Sequence, residues 1–274
     1  MSLLCIALYI LMANRQIETY RRVFEVVRDH INAVPQSIML DFEAGARTAF
    51  TFVWPDITIR HCLFHLGQSV NRKVQSLGLS QLYIDNEEFR KSIRSLAALA
   101  FLQPDEVEYG YQLLRGIAHD QAIQIYDYFE TTYIFRVNQN GDHIAPLFNK
   151  NTWNMHDSVI NNLARTNNGM EGFHNAFNKK FSASRPLLST FIKKIKEEEE
   201  YQRNRMRPHE IDPTRPVVDS PRPRVYIRND EAIRDLIITF DQLEPEDIED
   251  QMWIRHLHAL SYRLTTKGID DWVN

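Results

Sequence analysis

Cysteine is almost absent from this chain: Cys5 and Cys62 are the only two in 274 residues. Two thiols cannot build a disulfide framework, and their scarcity fits a reducing compartment. Long apolar runs are missing as well. The strongest candidate, residues 3–12 (L-L-C-I-A-L-Y-I-L-M), is too short to span a bilayer and has no basic residue before it. It is followed by N-R-Q-I-E rather than by a small-residue cleavage site. It reads as a buried strand, and no membrane partner is expected. No internal repeat is evident, which speaks against solenoid and propeller arrays. A basic excess is lacking too: the formal net charge is −4, which by itself counts against nucleic-acid binding.

What is present is enough apolar material for a sizeable core. With 43% hydrophobic and 25% charged residues, the composition is that of a soluble globular protein of one or two domains. The charge is also segregated. Residues 165–207 carry ten basic and five acidic side chains, whereas residues 208–274 carry eight and fourteen. A basic strip of this kind suits phosphate contacts and salt-dependent binding, although a solvated helix face has the same composition.

Periodicity gives the order of elements. Ile17, Tyr20, Phe24 and Val27 predict a helix over residues 16–30, and Ser37-Ile38-Met39-Leu40 is a strand-length run that delivers Asp41 at its end. Residues 44–52 read as a short helix stopped by Trp54-Pro55, and Ile57-Thr58-Ile59 as a third strand leading into R-H-C-L-F-H. Strand, helix, strand, helix, strand is the alternation of a parallel α/β sheet. From residue 66 to about residue 163 helical stripes are expected and no strand. Pro104-Asp105-Glu106 is a helix start, and Ile123, Tyr126, Phe129 and Tyr133 form a stripe.

Residues 167–181 restart a helix. Met170, Phe173, Phe177 and Phe181 make an apolar stripe that suits packing on a sheet, while Glu171, His174, Asn175 and Asn178 share a polar face. A second helix carries Lys193, Lys194, Lys196 and the run Glu197, Glu198, Glu199, Glu200, the last reading as a solvated face. Five prolines between residues 207 and 224 mark a linker, and acidic helices follow over residues 230–240 and 245–264. Among the candidate ligands, Asp41 alone reads as a turn former and Glu171 alone as a solvated helix acid. Glu43 stands two residues beyond Asp41 as a possible substitute, but reads better as the start of the next helix. Cys62-x-x-His65 has zinc-compatible ligand types, yet a structural Zn²⁺ takes four ligands and no second Cys/His pair stands at standard spacing, so zinc is not favoured.

The blocks D-F-E-A-G-A (41–46), H-C-L-F-H (61–65), G-L-x-x-x-Y (78–83), A-L-A-F-L-Q-P-D-E-V (98–107) and R-T-N-N-x-x-E-G-F-H (165–174) together resemble the Mutator-like element (MULE) transposase domain. The resemblance runs from about residue 3 to about residue 200, and the order of blocks carries more weight than any one of them. It implies an α/β, ribonuclease H-like core with a large all-helical insertion and C-terminal helices. The implied division is a partial core over 1–65, the insertion over 66–163, a returning core helix and basic helix over 164–206, a proline-rich linker over 207–228 and an acidic helical tail over 229–274.

It also implies a DDE transposase that cleaves and transfers DNA strands with Mg²⁺ or Mn²⁺. Asp41 matches the second carboxylate of the triad and Glu171 the third. Carboxylates suit the task because Mg²⁺ prefers hard oxygen ligands, and two ions can activate water and stabilise a leaving 3′ oxygen. Arg165, His174, Lys179, Lys180, Lys193, Lys194 and Lys196 are the implied DNA contacts, with transposon ends and target DNA as partners. A homo-oligomer and a nuclear location fit the same resemblance. The family's first Asp lies on a strand upstream of the segment matching residues 3–12. The chain therefore reads as N-terminally truncated, with two of three carboxylates. A domesticated, inactive DNA-binding derivative and a protein-interaction module built on the insertion or the acidic tail are the alternative readings.

Overall fold

Ile17–His30 forms helix α1 in the computed structural model, with its Tyr20, Phe24 and Val27 stripe half-buried. The structure describes residues 8–31, 34–35, 37–163, 173, 176–182, 185–212, 214 and 224–264. The chain divides into two units: residues 16–166 with 224–274, and residues 1–15 with 167–223.

In the larger unit, β1 (Ser37–Leu40) and β2 (Thr58–His61) pair in parallel, with Ser37 opposite Thr58 and Leu40 opposite His61. Helix α2 (Ala44–Val53) makes the crossover between them, because parallel neighbours cannot be joined by a tight turn. Phe50, Val53 and Trp54 bury a small core with Phe24, Val27, Ile38, Leu40 and Ile57 against it, and Phe24 meets the Phe50 ring edge-on at 4.9 Å. The fold is thus mixed α/β and mostly helical. The expected first strand is not seen: residues 8–12 belong to no strand, and residues 3–7 lie outside the described residues. An apolar run becomes a strand only when a partner takes up its backbone groups.

Helix α3 (Leu63–Ser76) follows β2 directly and ends in a Schellman motif. Gly78 takes φ +73°, its N–H donates to Gln75 O, and the Leu79 N–H donates to Val74 O. Then come α4 (Ser80–Asp85) and α5 (Glu87–Ala98), the latter capped by Asn86, whose Oδ1 accepts from the Phe89 N–H at 2.9 Å. A 3₁₀ turn (Leu99–Phe101), α6 (Val107–Gly116) and α7 (Ile123–Phe129) continue the bundle, and a π turn (Glu130–Ile134) closes α7. The expectation of no strand in this region is corrected. Arg136–Val137 and His143–Ile144 pair antiparallel as β3 and β4, with Gly141 at φ +88° in the connection. Two residues per strand are too few to leave a period in the sequence. Short helices α8 (Lys150–Trp153) and α9 (His156–Ile160) complete this part.

In the smaller unit, α10 (Leu188–Ile211) runs through Pro208, so the helix continues four residues past the expected start of the linker. Phe173 and residues 176–178 are helical. The Phe173, Phe177 and Phe181 rings meet in series as their spacing predicts, and Phe177 also meets Phe191 of α10, with centroids 6.0 Å apart. Met170 lies outside the described residues.

The last two helices, α11 (Arg224–Asp241) and α12 (Asp250–Arg263), belong to the larger unit. They place Ile233, Ile237, Phe240, Trp253, Leu257 and Leu260 in the same core as Leu96, Tyr111 and Phe129. Among the described residues, the segment set apart in sequence as an acidic tail carries most of its acidic side chains on its outer face. At its inner edge the imidazole of His156, on α9, lies between Asp241 Oδ2 at 2.8 Å and Asp157 Oδ1 at 3.2 Å. The described helices include none long and apolar enough to cross a membrane.

Two outcomes follow. Leu257 is fully buried, so Leu257→Ala should destabilise the larger unit by about 3 kcal/mol. The loss should reach α5 amides in hydrogen exchange; protection lost in α11 and α12 alone would contradict a shared core. His256, stacked on Phe240 at 4.0 Å, is pushed down to about 4 by burial, against a smaller upward pull from Asp241. An unfolded histidine titrates near ~6.5. Between those values the unfolded chain binds a proton that the folded chain does not, so stability is fully present above the upper value. It falls as pH drops through the window, by up to ~3 kcal/mol. Urea midpoints across this range should fall more steeply for wild type than for His256→Phe, and equal slopes would refute the assignment.

Candidate active site

Asp41 is placed by the strand pair. The ladder extends one residue beyond β1 and β2 through the Cys62 N–H, which donates to Leu40 O at 3.2 Å. This sets the first turn of α3 alongside the residue that follows β1. Asp41 sits at the carboxyl end of a parallel strand, where open α/β sheets bind their ligands. The chain then turns into α2 with the Glu43 N–H donating to Asp41 O at 2.7 Å.

The Asp41 side chain is 56% exposed, and its Oδ1 lies 3.0 Å from Nδ1 of His65, which is 19% exposed. With His65 protonated the contact is an ion pair. Asp41 is also the main cause, with a smaller contribution from the Cys62 side chain, that raises His65 to about 10 and keeps it protonated at neutral pH. His65 is therefore a counter-charge to Asp41. Cys62 is fully buried at the N-terminus of α3. Among the described residues no three His, Cys, Asp or Glu side chains converge as a metal cluster.

A hard divalent ion fits Asp41 on the chemistry of its donor, an accessible carboxylate on a short, hydrogen-bonded turn. Glu43 does not share this arrangement. It stands just before α2, and its Oε1 accepts from the Tyr20 hydroxyl of α1 at 2.7 Å. His61 is another neighbour: fully buried, it places Nδ1 3.2 Å from Asp41 O and 3.3 Å from Leu40 O. Burial lowers its affinity for a proton despite those contacts. Spacing alone did not single out His61, nor the pairing of His65 with Asp41. The one available signal was register: once β1 and β2 pair with Leu40 opposite His61, the H-C-L-F-H block necessarily flanks Asp41.

Glu171, Arg165 and His174 lie outside the described residues. The lysines of the smaller unit are not equivalent. Lys180 is paired with Glu198, a buried carboxylate that also accepts from Gln202 at 2.8 Å. Burial alone would raise Glu198, but the Lys180 and Gln202 hydrogen bonds hold it below the ordinary value. Lys194 pairs with Glu197 at 2.7 Å. Lys179, Lys193 and Lys196 are exposed and make no salt bridge among the described residues. The glutamate run is thus only partly a solvated face, because Glu198 points inward.

The ion pair gives a direct check. In NMR titrations of the full chain, His65 should stay protonated through neutral pH, and Asp41→Asn should move its midpoint down by more than one unit. Removing Cys62 should move it less. A wild-type midpoint near that of a free histidine would refute the pairing.

The segment holding these residues is also the one that comparison with known proteins picks out. Residues 2–69 match the family model described as the MULE transposase domain. No curated protein matches the chain, and no solved structure does. Residues 2–69, the stretch that carries Asp41, His61, Cys62 and His65, are thus similar to the MULE transposase domain, the family that the sequence blocks resemble.

Proposed function

We propose that the chain is part of a MULE-type DDE transposase with a ribonuclease H-like core, whose parent reaction is metal-dependent cleavage and transfer of DNA strands. The observation that carries this reading is Asp41: an exposed carboxylate at the carboxyl end of a parallel strand, inside the segment that matches the family. Asp41 and Glu171 are the proposed ligands for Mg²⁺ or Mn²⁺, as the resemblance implies. Such ions, when bound, lower the pKa of an attacking water and offset charge on a leaving 3′ oxygen. The chain's own contribution is to present the Asp41 oxygens and to balance their charge with protonated His65 until an ion takes its place. DNA is the proposed partner, with Lys179, Lys193 and Lys196 as the phosphate contacts, since their ammonium groups make no salt bridge among the described residues.

Two measurements test this. If the chain retains the parent reaction, it should nick supercoiled DNA with Mn²⁺, and Asp41→Asn or Glu171→Gln should abolish nicking. Binding without nicking would favour an inactive DNA-binding derivative. In binding titrations over a range of salt, Lys193→Ala and Lys196→Ala should each reduce the slope of log K against log salt by about 1. Lys180→Ala should lower stability more than it changes that slope. Binding that does not vary with salt would exclude phosphate contacts.

A further inference from the structure

His61 is a buried histidine whose two ring nitrogens are treated unequally. Its Nδ1 faces the carbonyl oxygens of Leu40 and Asp41, at 3.3 and 3.2 Å. Carbonyls only accept, so Nδ1 carries the proton and is shared between them. Nε2 is buried and has no hydrogen-bond partner among the described residues. Leaving a polar atom in that state costs its desolvation without return. The ring is held flat against Phe42, with centroids 4.4 Å apart, and edge-on to Phe148 at 5.2 Å. As a packing element, a phenylalanine would fill this aromatic slot without the penalty at Nε2.

The two carbonyls explain what histidine adds. Leu40 C=O belongs to the peptide unit before the Asp41 Cα, and Asp41 C=O to the unit after it. A donor that grips both restrains φ and ψ of Asp41 together, and so fixes the direction of its Cα–Cβ bond. The Cys62 and Glu43 amides bond to the same two oxygens from other sides. Phe42 and Phe148 anchor the imidazole in turn to Tyr133, each within 5.9 Å of its ring. The carboxylate is thereby aimed from the aromatic core of the helical part rather than by its own short strand.

We infer that His61 is the positioning residue of Asp41, holding its main chain so that the carboxylate is presented to a divalent ion. This rests on the metal-binding reading above, and its test has two independent readouts. In the full-length chain, amide exchange is followed at Glu43 and Cys62, and Mn²⁺ binding by the EPR signal of the free ion. His61→Phe should keep the thermal midpoint at or above wild type, speed exchange at those two amides, and weaken Mn²⁺ binding by about tenfold or more. His61→Asn, whose amide N–H falls where Nδ1 stood, should recover part of both losses. His61→Gln, which removes that donor while remaining polar, provides a second loss variant should His61→Phe fail to fold.

Folded loss variants with unchanged exchange or unchanged Mn²⁺ affinity would reduce His61 to a packing residue and overturn the inference. Wild-type Mn²⁺ binding that is absent, or that Asp41→Asn leaves intact, would overturn the metal reading and the positioning role with it. Wild-type Mn²⁺ binding that is absent or insensitive to Asp41→Asn, with exchange still quickened in the loss variants, would identify that case.

Discussion

Four residues of parallel pairing between β1 and β2 bring Asp41, His61 and His65 together. Parallel ladders need a crossover, and the crossover helix α2 is what allows the carboxyl ends of both strands to lie side by side. Asp41 leaves one strand and Cys62 the other, so α3 begins beside the carboxylate and its first turn contributes His65. A slip by one residue would turn His61 out of the aromatic slot and carry His65 away from Asp41, because side chains alternate between the faces of a strand. The register is held by His61 and Leu40, which are opposite one another, and by the small core beneath α1 and α2.

The pair is too small to stand by itself, and the helical part supplies its support. Phe42, directly after Asp41, packs against Tyr133 and Phe148, and Arg60 reaches Ser158 at 2.5 Å. The same aromatic core extends to α11 and α12, which bury Trp253 and Leu257 in it. Residues 230–264 are therefore part of the scaffold on which Asp41 depends. Their acidic side chains are what remains exposed once the apolar stripes have been used, with Asp241 drawn inward by His156.

Charge in the smaller unit follows a similar rule. A count of lysines treats all of them as available to phosphate, but burying Glu198 requires a cation, and Lys180 supplies it. A buried carboxylate without a partner is far more costly than a surface lysine diverted from solvent. The set of available lysines is narrower than the composition suggests: those exposed and without a salt bridge among the described residues are Lys179, Lys193 and Lys196.

Much of the fold was legible in the order of residues. α1, α2, β1 and the helix after Pro104 follow from local spacing, since each buries one face at its own period, and Asp41 was located by the strand that ends on it. The β3–β4 hairpin was not legible, because two-residue strands have no period, nor was the continuation of α10 through Pro208. Residues 3–12 have the composition of a strand, and residues 8–12, the described part of that run, belong to no strand. The sequence by itself determined which residues are chemically able to act: a carboxylate at a strand end, a C-x-x-H block, a cluster of lysines. Only the tertiary structure decided that His65 is the counter-charge of Asp41, that His61 grips the peptide units on either side of it, and that Lys180 is taken by Glu198. Each of these contacts joins groups 18 to 24 positions apart in the chain, and at such separations distance is set by strand register and helix packing rather than by spacing in the sequence.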